Sequence, residues 1–249
     1  MDKRQFDEIT KLKRDIRRMY MEQGQQQTIP YLTSTIKKIN NLPNTGIYDN
    51  QFKAQLRGTL AEEICLIMLA EYIKTYYPNK PPEQMPYILD SRYFKVGDKT
   101  TEIDIIFITP HKIFVFEVKS YYGELSIGKD GEIISKTTKQ RVNPYTQNQY
   151  HIDMLRKALK GVLVWNGPQI FENYVFLFSD SRATSDKRTQ EVKNNMVLCN
   201  RRTILPAIKH KDKKYSNIKI DDTLKLAREI IKLSYDDTWE NLQYHIKGR

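Results

Sequence analysis

The sequence predicts a mixed α/β fold, and three observations carry that prediction. One long stretch, Tyr48 to Tyr77, is apolar on nearly every side between Leu60 and Ile73, as a buried helix is. Short runs rich in Ile, Val, Phe and Tyr follow between Tyr87 and Ser135, in the manner of strands. The pattern then returns to helix at residues 144–160 and to buried-type strands at Tyr174 to Phe178 and Asn195 to Cys199. This order describes a central, mostly antiparallel sheet flanked by helices. At 249 residues, with 39% hydrophobic and 11% aromatic side chains, the chain can bury such a core.

Residues 1–46 form a polar, helical N-terminal extension, residues 47–200 the core, and residues 201–249 a basic, mainly helical C-terminal region. In the extension, Phe6, Ile9, Leu12 or Lys13, Ile16 and Met19 or Tyr20 recur every three or four residues from Asp2 to Met21 and draw one face. That face packs on the main domain or on a partner chain; the pattern does not choose. A glutamine-rich break at Gln23 to Gln27 precedes a second short helix after Pro30. The long helix is stopped by Pro78 and carries the acids Glu62 and Glu63 within its apolar run, where a buried helix has no reason to hold charge. One should face a site and the other reach solvent. Strands are expected at Tyr87 to Phe94, Glu102 to Thr109, Lys112 to Lys119, and near Glu124 to Ile127 and Glu132 to Ser135.

Two of these strands are joined by the short link Thr109-Pro110-His111-Lys112, which suits a tight antiparallel hairpin. Symmetric pairing then sets Ile108 against Ile113, Ile106 against Val115, Asp104 against Glu117 and Glu102 against Lys119. Opposed β-carbons lie roughly 4.5 to 5.5 Å apart, so two carboxylates sit side by side with a lysine next to them. Such a pair needs a shared proton, a neutralising lysine or a bound cation. Hard oxygen donors of this kind suit Mg²⁺ or Mn²⁺ beside a substrate phosphate. A cross-strand salt bridge through Lys119 on a solvated face explains the same residues, and geometry alone leaves both readings open.

The formal net charge is +11, concentrated in residues 181–220, where eleven Lys or Arg face three acids and leave +8. A surface of that sign binds polyanions, nucleic acid foremost. Only two cysteines occur, Cys65 and Cys199, without zinc or redox spacing, so both are expected as buried reduced thiols. No apolar run is long enough to span a bilayer, and Met1-Asp2-Lys3-Arg4-Gln5 lacks the apolar core of a secretory signal, which together read as cytoplasmic. Ser179-Asp180-Ser181 has no nucleophile elbow around it, and no Gly-x-x-x-x-Gly-Lys phosphate loop exists. Tyr121 and Tyr122 could stack on bases or simply edge the core.

Four pieces in order, Gly58-Thr59-Leu60-Ala61-Glu62, Glu102-Ile103-Asp104, Val115-Phe116-Glu117-Val118-Lys119 and Asn143-Pro144-Tyr145-Thr146-Gln147 with His151 beyond, resemble the NERD (nuclease-related domain) family of the PD-(D/E)xK nuclease superfamily. The resemblance covers roughly residues 50–180 and departs from the family at Ala61, where a glycine is usual. It implies a restriction-endonuclease-like core and metal-dependent hydrolysis of DNA. Asp104, Glu117, the carbonyl of Val118 and Glu62 would hold Mg²⁺ or Mn²⁺. Lys119 would orient or help deprotonate the attacking water, and Gln147 would bond that water or a phosphate. Gln147 and His151, at i and i+4, share one helical face; the bland alternative is a helix cap and surface pair after Asn143-Pro144, which suits His151 better than Gln147. The runner-up function is a nucleic-acid-binding module of the same fold without chemistry. A helical-interface scaffold is the third.

Overall fold

The computed structural model describes residues 2–43, 49–121, 123–136, 139–162, 170–179, 183–214, 220–236 and 238. Tyr48, Tyr122, Asp180, Ser181 and the chain beyond Thr238 lie outside them.

Three helices come first: α1 (Lys3–Gln23), α2 (Gln25–Asn40) and α3 (Asn50–Tyr76). Asp2 opens α1 with a reciprocal capping box to Gln5, and Gly24, at φ +72°, ends it. The glutamines do not break the chain. They start α2 at Gln25, because glutamine is a good helix former and only Gly24 interrupts. Pro30 lies inside that helix, which Leu32, Ile36 and Ile39 hold in place by burial against α3. The apolar face of α1 is taken up within the chain itself: Ile9 and Ile16 join the cluster built on α3.

The strands and remaining helices are β1 (Tyr87–Val96), β2 (Lys99–Ile108), β3 (Ile113–Tyr121), β4 (Leu125–Ile127), β5 (Ile133–Ser135), β6 (Arg141–Val142), α4 (Pro144–Ala158), β7 (Phe171–Ser179), β8 (Ala183–Asp186), α5 (Gln190–Asn195), β9 (Val197–Cys199), α6 (Ile204–Lys214), α7 (Thr223–Lys232) and β10 (Ser234–Tyr235). The main sheet has six strands in the order β10-β1-β2-β3-β7-β9. It is mixed and, as expected, mostly antiparallel: β10–β1, β1–β2 and β2–β3 pair antiparallel, and two pairings are parallel. After β3 the chain crosses through α4 and re-enters as β7, parallel to β3, and β9 repeats the direction. The C-terminal region also returns a strand, since β10 pairs with β1 at Tyr93–Tyr235. A smaller sheet, β6-β5-β4-β8, packs Leu125, Ile127 and Ile133 with Leu177 of β7.

The main sheet is covered on both faces. Ile105, Phe107, Phe114, Phe116, Tyr174 and Phe176 point to α3, where Leu60, Ile64, Cys65, Leu69 and Tyr72 receive them. Ile106, Ile108, Ile113 and Val115 point the other way, to Ile152 and Leu155 of α4 and Leu226 and Ile230 of α7. Cys65 and Cys199 are buried free thiols. Among the described residues no helix is long and apolar enough to cross a membrane.

Candidate active site

The β2–β3 ladder runs Ile108–Ile113, Ile106–Val115, Ile105–Phe116, the register expected from the symmetric turn. Backbone pairing stops there. β2 goes on pairing with β1 back to Lys99, while β3 goes on pairing with β7 to Tyr121, so the two central strands part. Continued one step, the register sets Asp104 opposite Glu117, one on each lip of the opening. The amide of Val118 donates to Asp104 Oδ2 at 2.7 Å, so a side chain bridges the strands where the ladder ends.

The neighbouring strand is disturbed at the same level. Asp90 pairs with Ile105 and Arg92 with Ile103, which leaves Ser91 opposite Asp104. Ser91 has φ +47°, a left-handed conformation uncommon for a residue with a Cβ. The facing of β2 inverts across this point: Ile103 belongs to the core on the α4 side and Ile105 to the core on the α3 side. The kink takes Asp104 out of both apolar layers.

Glu117 is only 1% exposed. Its Oε1 meets Lys119 Nζ at 2.5 Å and its Oε2 meets His151 Nε2 at 3.0 Å, and the other ring nitrogen of His151 lies 2.5 Å from Thr101 Oγ1. Burial alone would push Glu117 up, but His151 and Lys119 outweigh it and hold the carboxyl below its usual range. Asp104 goes the other way: burial, then repulsion from Glu117, Glu62 and Glu102, push it well up against the single opposing Val118 amide. The pair therefore carries its first negative charge on Glu117. Burial also works against the charge on Lys119, yet Glu117, Asp104 and Glu62 together raise its pKa, so it stands as a cation.

The two helix glutamates separate. Glu63 is 2% exposed and receives Arg17 of α1 through Nη2 at 2.7 Å and Nε at 3.2 Å, while Arg17 also reaches Asp90 Oδ2 at 2.6 Å. Glu62, half-buried and about 100° further round the helix, is close enough to repel Asp104 and to help hold the proton on Lys119.

On α4, Asn143 caps the helix by accepting from the Thr146 amide, and Pro144 opens the first turn. His151 faces inward onto Glu117, whereas Gln147, one turn earlier, is exposed. Sequence reasoning also missed Asn148. It is fully buried, and its Nδ2 donates to Val115 O, Asn173 Oδ1 and Tyr174 O at 2.8, 2.9 and 3.1 Å, pinning α4 to β3 and β7 one turn before His151. Its place in the stripe of Pro144, Ile152 and Leu155 was the available signal. Tyr121 packs onto the small sheet with Leu125 and Ile127, and burial, then the Glu117 charge, push its phenol up.

Among the described residues no three His, Cys, Asp or Glu side chains stand ready as a metal cage. The donor chemistry nevertheless fits a hard divalent ion. Asp104, Glu117 and Glu62 offer oxygen only, and Asp104 lies where the repulsion of three other carboxylates is met by one amide.

A mixed sheet parted between its central strands, with an acid on one lip and Glu-x-Lys on the other, defines a nuclease-like α/β core. Residues 58–179 match the family model of NERD, the nuclease-related domain, and the chain carries a nuclease-related domain over that stretch. No curated protein matches the chain. Among solved structures, protein VC1899 from Vibrio cholerae is similar over 85% of this chain and 50% of its own, at 13% identity and a TM-score of 0.34. The chain thus spans half the length of that protein.

Proposed function

We propose that the protein is a nuclease hydrolysing DNA phosphodiester bonds with Mg²⁺ or Mn²⁺ through Asp104, Glu117 and Lys119, with Glu62 behind them. The observation that carries this reading is the parting of β2 from β3 after Ile105 and Phe116, with two repelling carboxylates and a half-buried lysine at one opening. Asp104, Glu117 and the carbonyl of Val118 would hold the ion, and Glu62 would add charge directly or through water. A divalent ion so bound lowers the pKa of a water and neutralises charge growing on the leaving oxygen. The chain supplies the rest. Lys119, held protonated, orients the attacking water and offers a fixed cation to the phosphate oxygens as charge develops there. His151, braced by Thr101, fixes the Glu117 carboxylate, and Gln147 serves the rim of the opening.

Incubation with linear and supercoiled DNA, in Mg²⁺ or Mn²⁺ and then with chelator, is the test. Cutting should need the metal and vanish in Glu117→Ala and in Lys119→Ala; cutting that survives both substitutions sinks the site. One observation favours a binding module without chemistry: both oxygens of Glu117 are already engaged, by Lys119 and His151. That reading wins if DNA binds with steep salt dependence and no metal produces a cut.

A further inference from the structure

A cavity of about 460 Å³ opens between α1, which lies outside the stretch that matches the family model, and the kinked part of β1, which lies within it. Its cations are Lys13, Arg14 and Arg17, and its acids are Asp90 and Asp236. The acids have partners of their own: Arg17 bonds Asp90, and Asp236 pairs with Arg92 from β1. The lining therefore keeps a positive excess of three cations over two acids. Ser91 is in the wall as well, 6% exposed; its Oγ accepts from Lys13 Nζ at 3.3 Å, which leaves its own O–H to donate.

The position matters more than the charge. Ser91 is the residue opposite Asp104 in the β1–β2 register, so the cavity wall and the candidate active site are one strand spacing apart, roughly 5 Å. Arg17 ties the same wall to Glu63, the residue after Glu62. Helix α1 thus borders the opening through both β1 and α3.

We propose that this cavity is a subsite for one phosphodiester of the nucleic-acid backbone, flanking the bond that Asp104, Glu117 and Lys119 would cut, with Lys13, Arg14 and the Ser91 hydroxyl as its donors. The inference rests on the nuclease reading above and adds α1 to the substrate surface. A single excess positive charge suits a singly charged phosphodiester, and Lys or Arg contacts to phosphate position a strand without reading its sequence.

The test uses the full chain with a fluorescein-labelled DNA oligonucleotide in chelator, so that no cleavage intervenes, and follows anisotropy against salt. Lys13→Gln and Arg14→Gln should each weaken binding about threefold to tenfold and lower the salt slope by about one. Lys157→Gln, an exposed cation at the far end of α4, should change neither. The melting temperature of Arg14→Gln should stay level, because Arg14 is exposed and glutamine keeps the helix. Wild-type protein that cuts DNA, beside Lys13→Gln and Arg14→Gln variants that bind as it does, overturns the subsite alone. Equal weakening by Lys157→Gln overturns it too, since net charge would then explain the effect. Inorganic phosphate that raises the melting temperature of wild type but not of Arg14→Gln, with oligonucleotide binding unchanged, would assign the cavity to a free anion instead. Wild-type protein that neither binds nor cuts DNA takes down the nuclease reading and the subsite with it.

Discussion

At the turn end of the β2–β3 hairpin, Lys112 is fully buried and meets Glu172 at 3.0 Å, and Lys211 takes the other oxygen of Glu172 at the same distance. Beside them the buried Asp212 accepts from Thr109 Oγ1 at 2.6 Å, Tyr77 Oη at 2.5 Å and Tyr72 Oη at 3.1 Å. At the open end, the same helix and the same two strands gather Glu62, Asp104 and Glu117 around Lys119 and His151. Both ends hold acids and lysines; they differ in whether the charges are answered. Two lysines balance two acids at the turn, whereas at the opening burial, and then repulsion from three carboxylates, push Asp104 well up. A satisfied buried network fixes a fold, whereas mutually repelling carboxylates at an opening mark a candidate site.

The sharpest separation should come from Asp104→Asn and Lys119→Ala. Either change should lower the cleavage rate at least a thousandfold, about 4 kcal/mol of barrier. Asp104→Asn should also leave the melting temperature level or higher, because it replaces a carboxyl whose charged form burial and its acidic neighbours disfavour, while an oxygen remains to accept from Val118. Rates on supercoiled plasmid and a thermal melt measure the two quantities. A large loss of stability in Asp104→Asn would put the opening in the same class as the turn.

The turn end should respond in the opposite sense. Asp212→Ala takes the acceptor from three hydroxyls, those of Thr109 and Tyr72 on buried residues, so about 3 kcal/mol of stability should go. For a domain of this size that is a fall of roughly 6 to 12 °C in Tm. Cleavage per folded molecule should stay within about twofold of wild type. A comparable loss from Lys112→Met would show that the Glu172 pair contributes as well, since removing one partner leaves the other charge buried.

Metal should then distinguish the ends without any mutation. At a hundredfold excess over its dissociation constant, Mn²⁺ should stabilise wild type by about 2.7 kcal/mol. Asp104→Asn should lose that gain, while Asp212→Ala should keep it on its lower baseline. Equal stabilisation of all three proteins would move the ion away from the opening.

The hairpin was legible in sequence because a short symmetric turn fixes its own register, and Asp104 follows from that register as soon as Glu117 is placed. Strand direction was not. The run at Tyr174 to Phe178 is apolar on both faces, the mark of a parallel strand, but only the crossover through α4 decides it. Glu62 and Glu63 could not be told apart locally, because the residue that claims Glu63 is Arg17, on another helix and 46 positions away. Ser91 and its kink left no sequence signal, since serine gives no warning of a positive φ.

The smallest expected effect tests the rim of the opening. Gln147 and His151 share a face of α4, yet His151 is buried against Glu117 and Gln147 is exposed one turn nearer the helix start. A side chain at the rim can bond water or phosphate only when substrate is present, so its loss should leave the empty protein unchanged. Gln147→Ala should therefore slow cleavage about fivefold to tenfold, roughly 1 kcal/mol, with no shift in Tm. His151→Ala should do more, because it also removes one of the two groups that hold Glu117 ionised. If Gln147→Ala cuts at the wild-type rate, the site reduces to the two lips, Glu62 and His151, and α4 contributes through one residue.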